Sequence, residues 1–320
     1  MNSDRITQQL FKKYSIYNML VSNTLNIQDF EQHVIASFEA ALQSVVERMK
    51  CVDALKSVIS YALFPAGKRI RPLFSLCLSR DIGGDTDKLL PVTCALEFAH
   101  CASLIHDDLP ELDNDDVRRG RPSCHKAFSA GMALLAGDFM VPQALYIIST
   151  SSFTARERLD LVKSLSAAFT DLCNGQALDI LPDDKRGDLG LIHQLKTGAL
   201  FKTASRFAAV SADLNDKATT MCEELGLFIG VSFQIVDDFI DRFGTDQDRG
   251  RPQSSDSRNK KHTYFSEHSL EEGRAALTRM QEKIDQCLKD LGSELAKTGH
   301  FSGSFESVRY ILNRIFSKVH

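Results

Sequence analysis

The chain has no tryptophan and contains only 18 glycines and 8 prolines among its 320 residues. Few helix-breaking residues are typical of a helix-rich globular protein. Neither a P-loop (GxxxxGK followed by Ser or Thr) nor a dinucleotide-binding GxGxxG occurs, so neither kind of nucleotide site is indicated. No strand-like alternation of any length is present. The sequence therefore predicts an all-α fold.

A dominant charge sign is also missing, because the net charge is only −4. A broad basic surface for nucleic acid is therefore not predicted. The N-terminus has no long apolar segment typical of a signal peptide, and no apolar run approaches the ~20 residues that span a bilayer. The eight cysteines include no CxxC pair and lie mostly in apolar runs. We interpret them as buried, reduced thiols of a cytoplasmic protein without a membrane span.

The most unusual segment runs from His106 to Gly120. It contains six acidic side chains, and Arg118 and Arg119 follow them directly. An apolar helical run precedes the segment, and carboxylates at the end of a buried helix are unfavourable unless positive charge lies nearby. A divalent metal is the candidate counter-charge, and the two arginines indicate that an anion accompanies it.

A second acidic cluster lies at Asp237, Asp238 and Asp241, within an otherwise apolar helix. Asp237 and Asp241 are four residues apart and share one helical face. In the first cluster Pro110 cannot continue a regular helix, and a break there would turn Asp113 back towards Asp107. Two such clusters with basic residues fit Mg²⁺ bridged to a diphosphate. A two-carboxylate hydrolase stays open on spacing alone, but leaves the basic residues unexplained.

Residues at three further places in the chain are candidates for anion binding. Lys68, Arg69 and Arg71 open an apolar helix, where their charges oppose the helix dipole; the alternatives are an anion site and a solvated basic turn. His100 lies two turns before Asp107 on about the same face, so it is either a core histidine or part of the site. Lys196 and Thr197 head another helix and either hold an anion or form an ordinary helix surface.

In order along the chain, these motifs resemble the trans-prenyl diphosphate synthases, most closely the short-chain farnesyl and geranylgeranyl enzymes of bacteria and plastids. The resemblance covers roughly residues 30–315 and implies one polyprenyl synthase domain over 27–320, preceded by an N-terminal extension of unknown role at 1–26. The residues that carry it are Gly67-Lys68-Arg69-x-Arg71-Pro72, Asp107-Asp108-x4-Asp113 with Arg118-Arg119-Gly120, Gly175-Gln176-x-x-Asp179, Lys196-Thr197-Gly198 and Phe233-Gln234-x-x-Asp237-Asp238-x-x-Asp241.

The resemblance implies an isoprenoid synthase helical bundle around a deep central cavity, with one aspartate motif on each wall. It also implies a homodimer, several Mg²⁺ ions, and condensation of isopentenyl diphosphate with the allylic dimethylallyl and geranyl diphosphates. Asp107, Asp113, Asp237, Asp238 and Asp241 would bind Mg²⁺, and these aspartates, Asp108 and Lys196 would form the catalytic set. Arg118, Lys196, Thr197, Gln234 and Lys261 would contact the allylic diphosphate, and Lys68, Arg71, His100 and Arg119 the isopentenyl diphosphate.

The chain departs from the family pattern in two places. Ala66 replaces the first glycine of the basic turn, which is a mild change. The segment from Lys260 to Phe265 differs from the expected glycine-lysine pair and Thr-Tyr-Pro ending, so the role of Lys261 stays open.

Product length depends on the helix before Asp107, which should line the cavity for the growing chain. Ala102 and Ser103 are small where farnesyl enzymes of this type often carry an aromatic floor. Phe98, one turn deeper, either closes a longer cavity for a C20 product or faces another helix. We predict farnesyl diphosphate as the product, with geranylgeranyl diphosphate as the alternative.

Two rival functions share the fold. A class I terpene cyclase would use a second metal motif, and Asn215-Asp216-x-x-Thr219-x-x-x-Glu223 matches its spacing. We interpret that segment as a helix start capped by Asn215 or Asp216. A non-catalytic synthase subunit would typically lose acidic motif residues, whereas both motifs are intact here.

Overall fold

The computed structural model describes residues 27–64, 67–182, 185, 187–244, 263–297, 301 and 303–319. The N-terminal extension predicted at 1–26 and the substrate contact predicted at Lys261 lie outside these residues. Among them, α-helices account for nearly all regular structure, as the sequence predicts. In chain order they are α1 (Ile27–Arg48), α2 (Asp53–Leu63), α3 (Ile70–Asp81), α4 (Thr86–Asp107), α5 (Cys124–Ala127), α6 (Ala130–Ser149), α7 (Ala155–Asp179), α8 (Leu189–His193), α9 (Ala199–Ser211), α10 (Asp216–Phe243), α11 (Tyr264–Glu267), α12 (Leu270–Ala296) and α13 (Glu306–Phe316).

Helix α4 is the central element of the bundle. Its apolar side chains extend around the whole circumference, as expected for a helix buried on all sides. It contacts α1, α2, α3, α6, α7 and α9, while α10 packs between α9 and α12 on the other side of the molecule. Buried apolar side chains from all of these helices except the short α8 form one continuous core. This arrangement leaves the carboxyl end of α4 and the last three turns of α10 at a shared cavity.

Two non-α elements position site residues. A two-stranded ribbon pairs β1 (Val117–Arg118) with β2 (Arg121–Pro122). Its turn residues Arg119 and Gly120 have φ values of 53° and 75°, a left-handed pair typical of the tightest hairpins. A π-helix at Gln194–Gly198 joins α8 to α9. Such π segments are frequent at functional sites.

Helix α6 is continuous through Gly137 and Pro142, although both residue types disfavour a helix interior. Gly137 instead allows close approach, since a Cβ there would overlap the imidazole of His106 on α4. The glycine that looked like a helix breaker is thus required by the packing of α6 on α4.

Helices α4 and α6 are long and apolar enough to cross a membrane by length and composition alone. The apolar window of α4 is 72% buried inside the protein, which is typical of a core helix, whereas that of α6 is only 33% buried. The absence of a membrane span therefore stays a prediction.

Candidate active site

A cavity of about 960 Å³ lies between α4 and α7 on one side and the start of α3, the π-helix and α10 on the other. This volume is at the upper end of the range of small-molecule sites. Most of the residues predicted from sequence line it together: Lys68, Arg71, His100, Asp107, Arg118, Arg119, Lys196, Thr197, Gln234, Asp237, Asp238 and Asp241.

The first acidic motif turns back on itself, as predicted from Pro110. Helix α4 ends at Asp107, and the backbone amide of Asp113 donates to the Asp107 carbonyl at 2.8 Å. The Asp113 carboxylate accepts a hydrogen bond of 3.0 Å from the Gln176 side-chain amide on α7. The turn therefore holds Asp113 beside the carboxyl end of α4, although Asp113 itself is not among the cavity-lining residues.

Asp108 has a different environment from its neighbour Asp107. Its side chain is 4% exposed and accepts from the Arg118 guanidinium, with Nε 3.0 Å from Oδ1. Arg118 also lies 3.4 Å from the buried Asp115. These carboxylates raise the pKa of Arg118 despite the opposing effect of burial. Asp108 therefore orients Arg118 at the cavity edge and does not line the cavity itself.

The second acidic motif is held by a chain of hydrogen bonds. The Thr197 hydroxyl donates to Gln234 at 2.6 Å, and the Gln234 amide donates to Asp238 at 2.8 Å. The backbone amide of Tyr264 donates to the other Asp238 oxygen at 2.7 Å, and His193 lies 3.5 Å from it. Burial raises the pKa of Asp238 to about 7 in spite of these hydrogen bonds. Asp238 is thus fixed between the π-helix, α10 and α11.

The cationic side chains are distributed around the cavity. Lys68 Nζ lies 2.8 Å from Asp237 Oδ1 and 5.3 Å from the Phe233 ring centre. Lys196 Nζ lies 2.6 Å from Asp179 Oδ2. Arg119 lies against Gly67, where a Cβ would be 2.8 Å from the guanidinium carbon. The neighbouring Arg118 and Arg119 therefore point to different parts of the cavity, because the left-handed turn separates them.

Arg71 and His100 form a polar pair on the cavity wall. Arg71 Nη1 donates to His100 Nε2 at 3.2 Å, and Arg71 Nε is buried without a hydrogen-bond partner among the described residues. Burial and the Arg71 charge hold the pKa of His100 well below its ordinary value, so the ring is neutral. An unpaired buried guanidinium nitrogen is unfavourable unless an acceptor reaches it. The pair therefore fits an anionic ligand.

Arg69, one of the three cations at the start of α3, pairs with carboxylates in the core. Its side chain is 2% exposed and its guanidinium pairs with Glu97 and Glu39, the latter at 2.7 Å. Arg69 adopts φ 48° at the start of α3, which turns its side chain towards the core. The buried Glu97, one turn before His100, required this counter-charge, and its position in an apolar helix was the available sequence signal.

The donor set suits Mg²⁺. Asp107 and Asp237 offer hard carboxylate oxygens on opposite walls, and Mg²⁺ typically takes one or two protein carboxylates and completes its shell with phosphate and water. Burial raises the pKa of Asp107 to about 6, and a bound cation would favour the ionised form. Within the part of the chain that the structure describes, no three ligating side chains converge on one point. The arrangement fits a metal shared with a ligand.

The rival metal motif does not lie at the cavity. Asn215 caps α10, its side chain accepting from the Ala218 amide at 2.9 Å, as the helix-start interpretation predicts. Glu223 pairs with Arg206 at 2.7 Å. The spacing that matches a terpene cyclase therefore serves a helix cap and an ion pair.

Sequence reasoning left three contacts of the site unassigned. Gln176 and Asp179 belong to one of the family motifs, and they hold Asp113 and Lys196 respectively. His193 belongs to none of the motifs, although it lies beside Asp238. The signal available for all three was their place within or next to motifs that carry charge.

The polyprenyl synthetase family model matches residues 52–296. The chain therefore belongs to the polyprenyl synthetase family, and it is a prenyltransferase. It is 37% identical over 248 residues to the farnesyl diphosphate synthase of Geobacillus stearothermophilus, which covers 75% of this chain and 84% of that protein.

Solved structures show the same fold. A geranyltransferase of Helicobacter pylori, complexed with magnesium and isoprenyl diphosphate, has a TM-score of 0.77 at 23% identity, over 92% of this chain and 99% of that one. An FPP/GFPP synthase of Zymomonas mobilis has a TM-score of 0.73 at 28% identity, with coverage of 92% and 99%. These likenesses confirm the predicted isoprenoid synthase helical bundle.

Proposed function

We propose that this protein is a short-chain farnesyl diphosphate synthase, which condenses isopentenyl diphosphate head-to-tail with dimethylallyl and then geranyl diphosphate. The observation that carries the proposal is the shared cavity: two acidic motifs and two sets of cationic side chains line its polar part, and Leu104, Phe169 and Leu172 line another part. A diphosphate fits the first region and an isoprenoid chain the second. The farnesyl diphosphate synthase relatives support the same product.

The allylic diphosphate is assigned to the side of the cavity that carries Lys196, Thr197, Gln234 and Arg118. Breaking its C–O bond leaves a diphosphate anion and an allylic cation. Lys196 and Arg118 stabilise the departing anion, since fixed charges aimed at developing charge contribute strongly in a partly desolvated site. Thr197 and Gln234 keep Asp238 in place through their hydrogen bonds. Lys261 is proposed as a further contact from the resemblance alone.

Isopentenyl diphosphate is assigned to Lys68, Arg71, His100 and Arg119. Arg71 has an unpaired Nε, and the neutral ring of His100 adds hydrogen-bonding capacity without negative charge. When isopentenyl diphosphate is held there, its double bond attacks the allylic cation and forms the new C–C bond. The released diphosphate accepts the proton lost in the last step, so no protein nucleophile is needed. The apolar part of the cavity excludes water that would quench the cation.

Asp107, Asp113, Asp237, Asp238 and Asp241 are proposed to hold several Mg²⁺ ions. Bound Mg²⁺ would neutralise the diphosphate charge and favour its departure. The magnesium in the complex of the Helicobacter pylori geranyltransferase supports this ion. Asp108 acts through Arg118, which it orients.

We propose a homodimer that uses α6. Leu134, Leu135 and Tyr146 on this helix are 47%, 54% and 60% exposed, and only 33% of the apolar window of α6 is buried. A second copy of the chain would cover it. The eight cysteines are unpaired thiols and five of them are buried, which supports a cytoplasmic location: Cys51, Cys77, Cys94, Cys101, Cys124, Cys173, Cys222 and Cys287.

The proposal is tested by incubating the purified protein with labelled isopentenyl diphosphate, geranyl diphosphate and Mg²⁺, followed by product separation. The expected product is C15 diphosphate. A C20 product would instead indicate a geranylgeranyl diphosphate synthase. Release of cyclic hydrocarbon from farnesyl diphosphate would indicate a cyclase. No turnover under any of these conditions would indicate a non-catalytic subunit.

A further inference from the structure

From sequence, Phe98 on α4 either closes the cavity for the growing chain or faces another helix. The structure places it away from the cavity. Phe98 is fully buried in the core and Ala102 is 0% exposed, and neither lines the cavity. On that face α4 contributes Ser103 and Leu104 to the cavity wall. The helix that precedes the first acidic motif therefore offers no aromatic floor.

Helix α7 lies beside α4 on the same side of the cavity. Its residues Phe169, Leu172, Cys173 and Gln176 line the cavity at spacings of three and four, which place them on one helical face. Gln176 marks the polar end of this row, because its amide donates to Asp113 at 3.0 Å. The row then becomes apolar in the direction of Phe169.

Only two aromatic side chains occur among the described residues that line the cavity. Phe233 belongs to the basic region, where it lies 5.3 Å from Lys68 Nζ and 6.0 Å from the Arg71 guanidinium. Phe169 lies at the opposite, apolar end of the row on α7. It is partly buried and packs against the core, so core contacts hold the ring in position.

We infer that Phe169 is the residue that ends the chain-growth cavity and so sets the product at C15. This inference rests on the proposed synthase function. Phe169 precedes Gln176 by seven residues, or about 10 Å along a helix at ~1.5 Å per residue. One helical turn of ~5.4 Å is close to one extended five-carbon unit. Two units fit between the polar end and the ring.

This depth selects among the allylic substrates. Dimethylallyl diphosphate carries one five-carbon unit and geranyl diphosphate two, so both are accommodated and are extended in turn. Farnesyl diphosphate carries three units, and its last unit meets the Phe169 ring. It therefore leaves as product and is not extended again.

The test compares Phe169→Ala with the wild type in product analysis, using labelled isopentenyl diphosphate with geranyl diphosphate and, separately, with farnesyl diphosphate. Phe169→Ala is expected to shift the main product from C15 to C20 and to raise the use of farnesyl diphosphate about tenfold or more, since removing a steric clash is worth at least ~1.4 kcal/mol. Thr170→Ala, on the exposed side of α7, is the matched control and should keep the wild-type product.

Phe169→Leu provides a milder variant if the alanine change prevents folding, and a mixture of C15 and C20 is expected from it. A folded, active Phe169 variant that still makes only C15 overturns the inference while leaving the synthase function intact. A wild-type protein that makes C20 also overturns the inference. Absence of any elongation by the wild type contradicts the proposed function itself, so the two failures are distinguishable.

Discussion

The two acidic motifs supply the same carboxylate chemistry through different local structures. The first lies where α4 ends, and its geometry depends on a turn that brings the Asp113 amide to the Asp107 carbonyl. The second lies within the continuous helix α10, where helical spacing alone aligns Asp237 with Asp241. In the first motif one aspartate, Asp108, forms an ion pair with Arg118. The second holds Asp238 with hydrogen bonds from Gln234 on the same helix and from the Tyr264 backbone amide on α11, and His193 lies 3.5 Å away. The buried aspartate of the first motif, Asp108, is therefore held by an ion pair, and that of the second, Asp238, mainly by hydrogen bonds.

Asp107→Asn and Asp237→Asn test whether the two walls contribute equally to catalysis. Each change removes a negative charge from the proposed metal-diphosphate site, and each is expected to lower kcat/KM by about 100-fold or more. Steady-state kinetics with geranyl and isopentenyl diphosphates at saturating Mg²⁺ measures the effect. Asp116→Asn is the control, because that side chain is 60% exposed and pairs with Lys126. Near-wild-type activity in either site variant would remove that wall from the reaction.

Arg118→Met tests the ion pair that holds Asp108 in the first motif. It keeps an apolar stem but leaves the buried Asp108 without its guanidinium, and is expected to reduce the free energy of unfolding by about 3 kcal/mol. Urea denaturation measures this loss. The exposed pair of Lys126 and Asp116 provides the contrast, since Lys126→Met should change stability by less than about 1 kcal/mol. Equal effects from the two variants would contradict the special role of the buried pair.

Thr197→Val tests the hydrogen bonds that hold Asp238 and should have the smallest effect. It removes the hydroxyl that donates to Gln234 but keeps the shape of the side chain. One neutral hydrogen bond contributes about 1 kcal/mol, so a decrease in kcat of about fivefold is expected, with little change in unfolding. Stopped-time assays and thermal denaturation give the two quantities. A loss of stability without a loss of rate would mean that this hydrogen bond serves the fold and not Asp238.

Much of this organisation follows from the sequence because the signals are local. The apolar periodicity from Phe30 to Met49 gives α1, and the proline after Asp107 gives the turn. The direction of a side chain depends on packing between elements and is not local. Arg69 turns into the core because Glu97 and Glu39 lie there. Ala102 faces the core, so product length is expected to depend on α7 and not on this position of α4.

Cys173 is a cavity residue whose thiol can be chemically modified. It lines the wall one turn from Phe169 and is exposed, whereas the other cysteines are buried or partly buried. Burial and the nearby Asp107 charge raise its thiol pKa, so alkylation should be slow at neutral pH and faster in alkaline buffer. A bound isoprenoid chain would shield this sulfur. The rate at which a maleimide modifies the protein therefore reports occupancy of the chain-growth region, independently of turnover.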